Sequence, residues 1–153
     1  MHPQTYPHTT LAKQLAAYVV IYAPWQMAAD EIENYAGQPA FTFIEQMPTN
    51  WQQSRVLMVK IGRYVVTARK ERGGENWYVG GMTDEEARDL EVKFDFLDPD
   101  ARYMAVIYRD GPDAAMDTNP YPMTIERRMV DAKTVLPIHL AKGGGFAIQL
   151  VKQ

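Results

Sequence analysis

Leu90-Glu91-Val92-Lys93-Phe94-Asp95-Phe96 alternates apolar and charged residues without a break. A period of two sends successive side chains to opposite faces of an extended chain, so the stretch predicts a half-buried β-strand. The same period recurs on both sides of it. Towards the N-terminus, Arg55 to Ile61, Tyr64 to Lys70 and Asn76 to Met82 read as strands, with Gly62 at one turn and Glu71-Arg72-Gly73-Gly74-Glu75 at the next. Towards the C-terminus, Tyr103 to Arg109, Thr124 to Val130, Val135 to Leu140 and Phe146 to Val151 complete the set. Asp98-Pro99-Asp100 reads as a turn and Gly111 to Pro122 as a loop. Pro137 confines its strand to an edge or a bulge, because proline cannot donate to a ladder. Seven or eight short strands without helical crossovers predict a mainly β chain: an antiparallel two-layer β-sandwich over residues 49–153.

Further out, the period changes near Pro48. Thr9 or Thr10 is placed to cap a helix running to about Ala23, and Pro24 ends it. Pro24 also suits the first position of a second helix, Trp25 to Tyr35, with Asp30, Glu31, Glu33 and Asn34 on its polar face and Gly37 at its end. A third short helix, Ala40 to Met47, fits between Pro39 and Pro48. Residues 1–48 thus read as a lead-in of two or three short helices. The first has almost no polar face. Leu11, Leu15, Tyr18, Val19 and Tyr22 lie on one side, and Ala12, Ala16, Val20 and Ala23 cover much of the other. Burying a large apolar side chain is worth roughly 1.5–3 kcal/mol, so five or six left in water forgo roughly 10 kcal/mol. The helix is therefore expected to dock on the sandwich, on a copy of itself or on an absent domain. Leu11, Leu15, Tyr18, Val19, Tyr22 and Trp25 are the candidate packing or interface residues. A helix this apolar on so many sides is expected to belong to a larger body than the sandwich alone.

Composition narrows the function. The 153 residues suit one domain with an appendage, and a 46% hydrophobic share is that of a folded protein. With 16 basic residues scattered among 19 acidic ones, there is no electrostatic footprint for nucleic acid. The densest basic run, Arg69-Lys70-Glu71-Arg72, reads as a solvated hairpin end. No cysteine is present, which removes disulfide and thiolate chemistry. Met1 to His8 lacks the basic and small-residue features of a signal peptide. The apolar run from Leu15 to Pro24 is shorter than the roughly 20 residues a bilayer span needs.

No chemistry-bearing constellation emerges. Hydrolysis by paired acids needs two carboxyl groups facing one bond. Asp30, Glu31, Glu33, Asp84, Glu85, Glu86, Asp95, Asp98 and Asp100 read as solvated or capping instead. Asp98-Pro99-Asp100 lacks the other ligands of a calcium loop. His2, His8 and His139 have no metal-ligand spacing. Ser54 has no partner histidine in its motif, and Gly143-Gly144-Gly145 precedes a strand rather than a helix, so it reads as a turn. Catalytic, cofactor and metal residues are therefore expected to be none. Trp51, Trp77, Tyr78, Tyr103, Tyr108 and Tyr121 are the aromatic candidates for sugar stacking, against a core role.

A family resemblance breaks the tie over the helix. Thr9 to Ala16, Tyr18-Val19-Val20-Ile21-Tyr22, Gln26 to Asp30 and Glu33-Asn34-Tyr35, then Pro39-Ala40-Phe41, Phe43-Ile44, Pro48-Thr49 and Trp51 resemble the barrel end and linker of glycoside hydrolase family 97. Arg55-Val56-Leu57, Trp77 to Gly80, Thr83-Asp84-Glu85, Asp95-Phe96-Leu97, Ile107 to Asp110, Asn119-Pro120, Thr124-Ile125-Glu126 and Gly143-Gly144-Gly145 continue the likeness in order. Ala23, Trp25 and Glu31-Ile32 depart from it. The resemblance implies residues 1–48 as the end of a catalytic barrel plus linker, and 49–153 as the C-terminal β-sandwich. It implies a parent that hydrolyses α-glucosidic or α-galactosidic bonds, commonly periplasmic or secreted. It also implies that the parent's catalytic and calcium-binding glutamates lie outside this chain. The expected role is packing against the missing barrel and self-association. A free-standing carbohydrate-binding module is the rival reading, and a fragment still binding substrate at the barrel edge is a third.

Overall fold

The computed structural model describes residues 7–28 and 32–153. His2, Asp30 and Glu31 therefore lie outside the described residues. Three short helices precede eight strands: α1 (Leu11–Val20), α2 (Ile32–Tyr35), α3 (Phe41–Gln46), β1 (Trp51–Lys60), β2 (Tyr64–Glu71), β3 (Trp77–Thr83), β4 (Arg88–Lys93), β5 (Tyr103–Asp110), β6 (Met123–Val130), β7 (Val135–Leu140) and β8 (Gly145–Lys152). Every pairing is antiparallel. The strands form a six-stranded sheet in the order β1-β2-β3-β8-β5-β6 and a separate ribbon of β4 and β7.

The main core lies between ribbon and sheet. Val92, Leu136, Ile138 and Leu140 of the ribbon meet Val66, Val79, Ile107, Phe146, Ile148 and Leu150 of the sheet. β7 shows the alternation plainly: Leu136, Ile138 and Leu140 are buried while Val135, Pro137 and His139 face out. Pro137 sits opposite Glu91 in a ribbon whose strands are both edges, so its missing N–H breaks no sheet interior. β4 ends at Lys93, shorter than the alternation to Phe96 implies. The chain turns there, yet Phe94 and Phe96 stay buried, stacked edge-on with ring centroids 6.0 Å apart. β1 starts at Trp51, earlier than Arg55.

A second core covers the opposite face of the sheet. Leu15 and Val19 of α1, Phe43 of α3, Met47 and Trp51 pack on Tyr78, Val106, Tyr108 and Ala147. The expectation that α1 needs a larger body to bury Leu15 and Val19 is corrected here. They are 2% and 0% exposed on the sheet of this same chain.

The helices themselves also differ from expectation. α1 stops at Val20 rather than Ala23, with Ile21 already extended. Trp25 to Ala28 are not helical, and among the described residues Ile32–Tyr35 is the part of the second helix that forms. The amphipathic spacing there has no surface to bury its apolar side: Met27 is 76% exposed.

Candidate interaction surface

α1 is fixed at both ends by groups distant in sequence. At its start, the Thr10 hydroxyl accepts from the Lys13 N–H at 3.2 Å, an N-cap that satisfies one of the helix's orphan donors. The Thr10 and Leu11 N–H groups donate to the carbonyls of Gly143 and Pro120, and Lys13 Nζ donates to the Thr83 carbonyl at 2.6 Å. At its end, the orphan carbonyls meet Arg69 from β2. Arg69 Nε donates to the Val19 carbonyl at 2.5 Å and Nη2 to the Val20 carbonyl at 3.1 Å, while Nη1 donates to Ser54 Oγ at 2.6 Å. A cation against the negative end of the helix dipole adds to these bonds. The Tyr22 ring lies 5.6 Å from the guanidinium. Burial lowers the Arg69 pKa from its ordinary value. Reading Arg69 as part of a solvated hairpin end is thus overturned, since it is 8% exposed. The available signal was its phase: Val65, Thr67 and Arg69 alternate onto the helix-facing side of β2.

The middle of α1 approaches the sheet through residues without bulk. Ala12, Leu15, Ala16 and Val19 are its buried set. A Cβ on Gly80 would stand 2.8 Å from the Ala16 carbonyl oxygen and 2.9 Å from Val19 Cβ. One on Gly145 would stand 2.8 Å from Lys13 Cα. The helix therefore seats the seam between its two apolar sides, with Ala12 and Ala16 from one and Leu15 and Val19 from the other, and leaves Leu11 and Tyr18 half-buried.

Each candidate packing residue can now be placed. Leu15 and Val19 are in the second core; Leu11 and Tyr18 are half-buried at its margin. Tyr22 is 57% exposed and Trp25 is 83% exposed. With Ile21 and Met27 they make an open apolar segment just beyond the helix. Of the six aromatic candidates for sugar stacking, Trp51, Trp77, Tyr78, Tyr103 and Tyr108 are buried, and Tyr121 alone is exposed. A platform needs a free ring face, so the sheet-face version of sugar binding loses its residues.

Several of the carboxylates are held by cations or by backbone N–H groups. Asp84 accepts from Arg88 at 2.9 Å, and Arg63 and Arg88 both reach Glu86. The Arg88 bond holds the Asp84 carboxyl below the usual range. Asp98 is held low by the Asp100 N–H and Lys152, and Glu75 by Lys152 and Lys70. A general acid needs the opposite shift. His139 Nδ1 lies 2.7 Å from Asp89 Oδ1 on the exposed side of the ribbon. Among the described residues, no three His, Cys, Asp or Glu side chains group as a metal site. No helix among them is long and apolar enough to cross a membrane, which says nothing of β-barrels.

Asp110 is the exception, and its position after the strand Tyr103 to Arg109 gave no sign of burial. It is 8% exposed, and its Oδ2 accepts from the N–H groups of Ala141 at 2.8 Å and Gly145 at 2.9 Å. Burial pushes its carboxyl up, while the Thr10 hydroxyl and those two amides pull the other way. An acid raised in the fold holds its proton more tightly than in the unfolded chain. Its contribution is therefore full below the ordinary carboxylate pKa and lost as pH rises through the raised value. Asp110→Asn keeps an oxygen for both amides and removes the charge. It is expected to melt no lower than the parent at pH 7, with its advantage shrinking as pH falls through that window. Parallel melting profiles for the two proteins would show that Asp110 is not the source.

Residues 50–151 match the family model described as glycosyl-hydrolase 97 C-terminal, oligomerisation. A retaining alpha-galactosidase of Bacteroides thetaiotaomicron is 44% identical over 142 residues, covering 92% of this chain and 21% of that protein. A probable retaining alpha-galactosidase of Streptomyces bingchenggensis is 28% identical over 137 residues, covering 89% and 20%. A glycoside hydrolase family 97 enzyme from Pseudoalteromonas sp. strain K8, solved in complex with acarbose, superposes with a TM-score of 0.94. It is 50% identical, over 96% of this chain and 23% of the enzyme. This chain spans about a fifth of the length of the relatives it matches. A β-arabinopyranosidase at 23% identity and a TM-score of 0.76 shares the fold.

Proposed function

Because this chain belongs to glycoside hydrolase family 97, as the family's C-terminal oligomerisation domain, we propose that it serves as a non-catalytic scaffold within a larger enzyme that cleaves α-galactosidic or α-glucosidic bonds. Its two tasks are to pack against the catalytic part and to bring copies together. The observation that carries the first task is the open segment Ile21, Tyr22, Trp25 and Met27, at 57–83% exposure directly after a helix that is otherwise well seated. Exposed apolar patches of this kind mark surfaces that another body covers. The catalytic part of the parent is the body we assign to it. The lowered carboxyls of Asp84, Asp98 and Glu75 support placing acid and nucleophile outside this chain, and we place any calcium there too. In this reading residues 1–48 carry the connection and 49–153 the sandwich, with α1 shared between them.

The test is an assay of the 153-residue chain with aryl α-galactoside and aryl α-glucoside. No turnover above the uncatalysed rate is expected. Saturable turnover by this chain would overturn the reading. Calorimetric titration with the matching oligosaccharides discriminates the rival carbohydrate-binding module, which requires saturable heat where none is expected here.

A further inference from the structure

We infer that copies of this domain associate through the free edge of β1, which pairs antiparallel with β1 of a second copy about a two-fold axis near Val56. The inference rests on the self-association reading above and names its surface. The family model that carries the oligomerisation description begins at residue 50, so the Ile21–Met27 segment lies outside it. Within the matched residues the fold has four strand edges: β1, β6, β4 and β7. An exposed edge offers unpaired N–H and C=O groups to any second strand, and proteins guard such edges with charge or proline. Three of the four are guarded. β6 carries Glu126, Arg127 and Arg128, with Glu126 bridged to Arg109 at 3.3 Å. β4 turns Asp89, Glu91 and Lys93 outward, and β7 holds Pro137.

β1 is the least guarded. Its charges are two, Arg55 and the terminal Lys60, and it has no proline. It is also a 10-residue strand, long enough to pair. A bulge between Val56 and Met58 turns two neighbours, Leu57 and Met58, onto the main core. That leaves Val56 and Val59 on the other side, at 61% and 58% exposure, with Ile61 beyond them at 96%. A soluble edge has no use for these three in water, whereas a second copy of the same strand covers them. The charges agree with a two-fold near Val56. It sets Arg55 beside Val56 or Leu57 and Lys60 beside Trp51 or Gln52, so no cation meets a cation. A guarded strand of this domain, or the catalytic part, would not give a self-complementary contact of this kind.

The test reads mass and covalent capture. The wild-type chain is expected to be dimeric by light scattering at about 0.1 mM. Val56→Lys and Val59→Lys, both at exposed positions, are expected to weaken the dimer at least about tenfold with unchanged melting of the diluted monomer. Paired strands hold opposite Cα atoms about 4.5–5.5 Å apart, within disulfide reach. The chain has no cysteine, so Val56→Cys is expected to oxidise to a covalent dimer while Met129→Cys on β6 does not. A dimer that survives both lysines, with no Val56→Cys cross-link, overturns the β1 assignment and leaves self-association standing. A chain monomeric throughout that range overturns both.

Discussion

Arg69→Met is expected to lower the stability of this domain by about 3 kcal/mol, the scale of losing charge-assisted hydrogen bonds at a buried site. For a domain of this size that is a fall in melting temperature of roughly 6–12 °C. The reason lies in what Arg69 reaches. One planar fork satisfies the Val19 and Val20 carbonyls and Ser54 Oγ together. Methionine fills the space and relieves the cost of burying a charge, but it takes the Arg69 donors away from the Val19 and Val20 carbonyls. Arg69→Lys is the informative companion. A point charge on a flexible stem serves one of these acceptors at a time, so it should recover no more than about half the loss. Hydrogen exchange would place the damage: amides in the last turn of α1 are expected to lose protection before those of β3 or β8. Wild-type melting in Arg69→Met would mean that the apolar side of α1 holds the helix unaided.

Gly80→Val is expected to be comparably severe, about 3 kcal/mol, near the upper end of overpacking costs. The clash is with backbone and with a branched carbon, not with the end of a flexible side chain. The Ala16 carbonyl oxygen and Val19 Cβ both lie under 3 Å from where the new Cβ would stand. α1 would have to lift, and Leu15 and Val19 would lose their seat with it. Melting and the exposure of Trp51, which rests at 5.6 Å on Tyr78 in the same core, would report the movement. If Gly80→Val melts like the parent, the close approach of helix and sheet is not what fixes α1.

These two positions also mark where sequence reading ran short. The ribbon strands were legible because each has one buried face: β7 and the half-buried β4 alternate as their residues dictate, whereas β3, β5 and β8 are buried on both faces. The start of α1 was legible because Thr10 caps it locally. Its end was not, because the group that terminates it sits 49 or 50 positions along the chain. Trp25 to Ala28 kept a helical spacing, but spacing makes a helix only where a surface receives its apolar side. The apolar character of Leu15 and Val19 was plain and their partner was not. Gly80-Gly81 inside a strand was the overlooked signal, since glycine there marks a close backbone approach. As for the interface, the exposed valines of β1 look in sequence like any strand's apolar set. The bulge that turns Leu57 and Met58 inward sorts them, and it is a feature of pairing, not of composition.

The order of the large sheet sets a constraint on how the chain matures. β8, the final strand, lies between β3 and β5, joined to Trp77–Met82 on one side and Tyr103–Arg109 on the other. While a ribosome is still making residues 145–152, β1-β2-β3 and β5-β6 are two separate hairpin groups with a vacant slot. Neither can shield its apolar residues until the last strand slides in. A chain that lacks β8 would keep both groups but lose the strand that joins them, so the two halves of the sheet are held together only through residues 145–152.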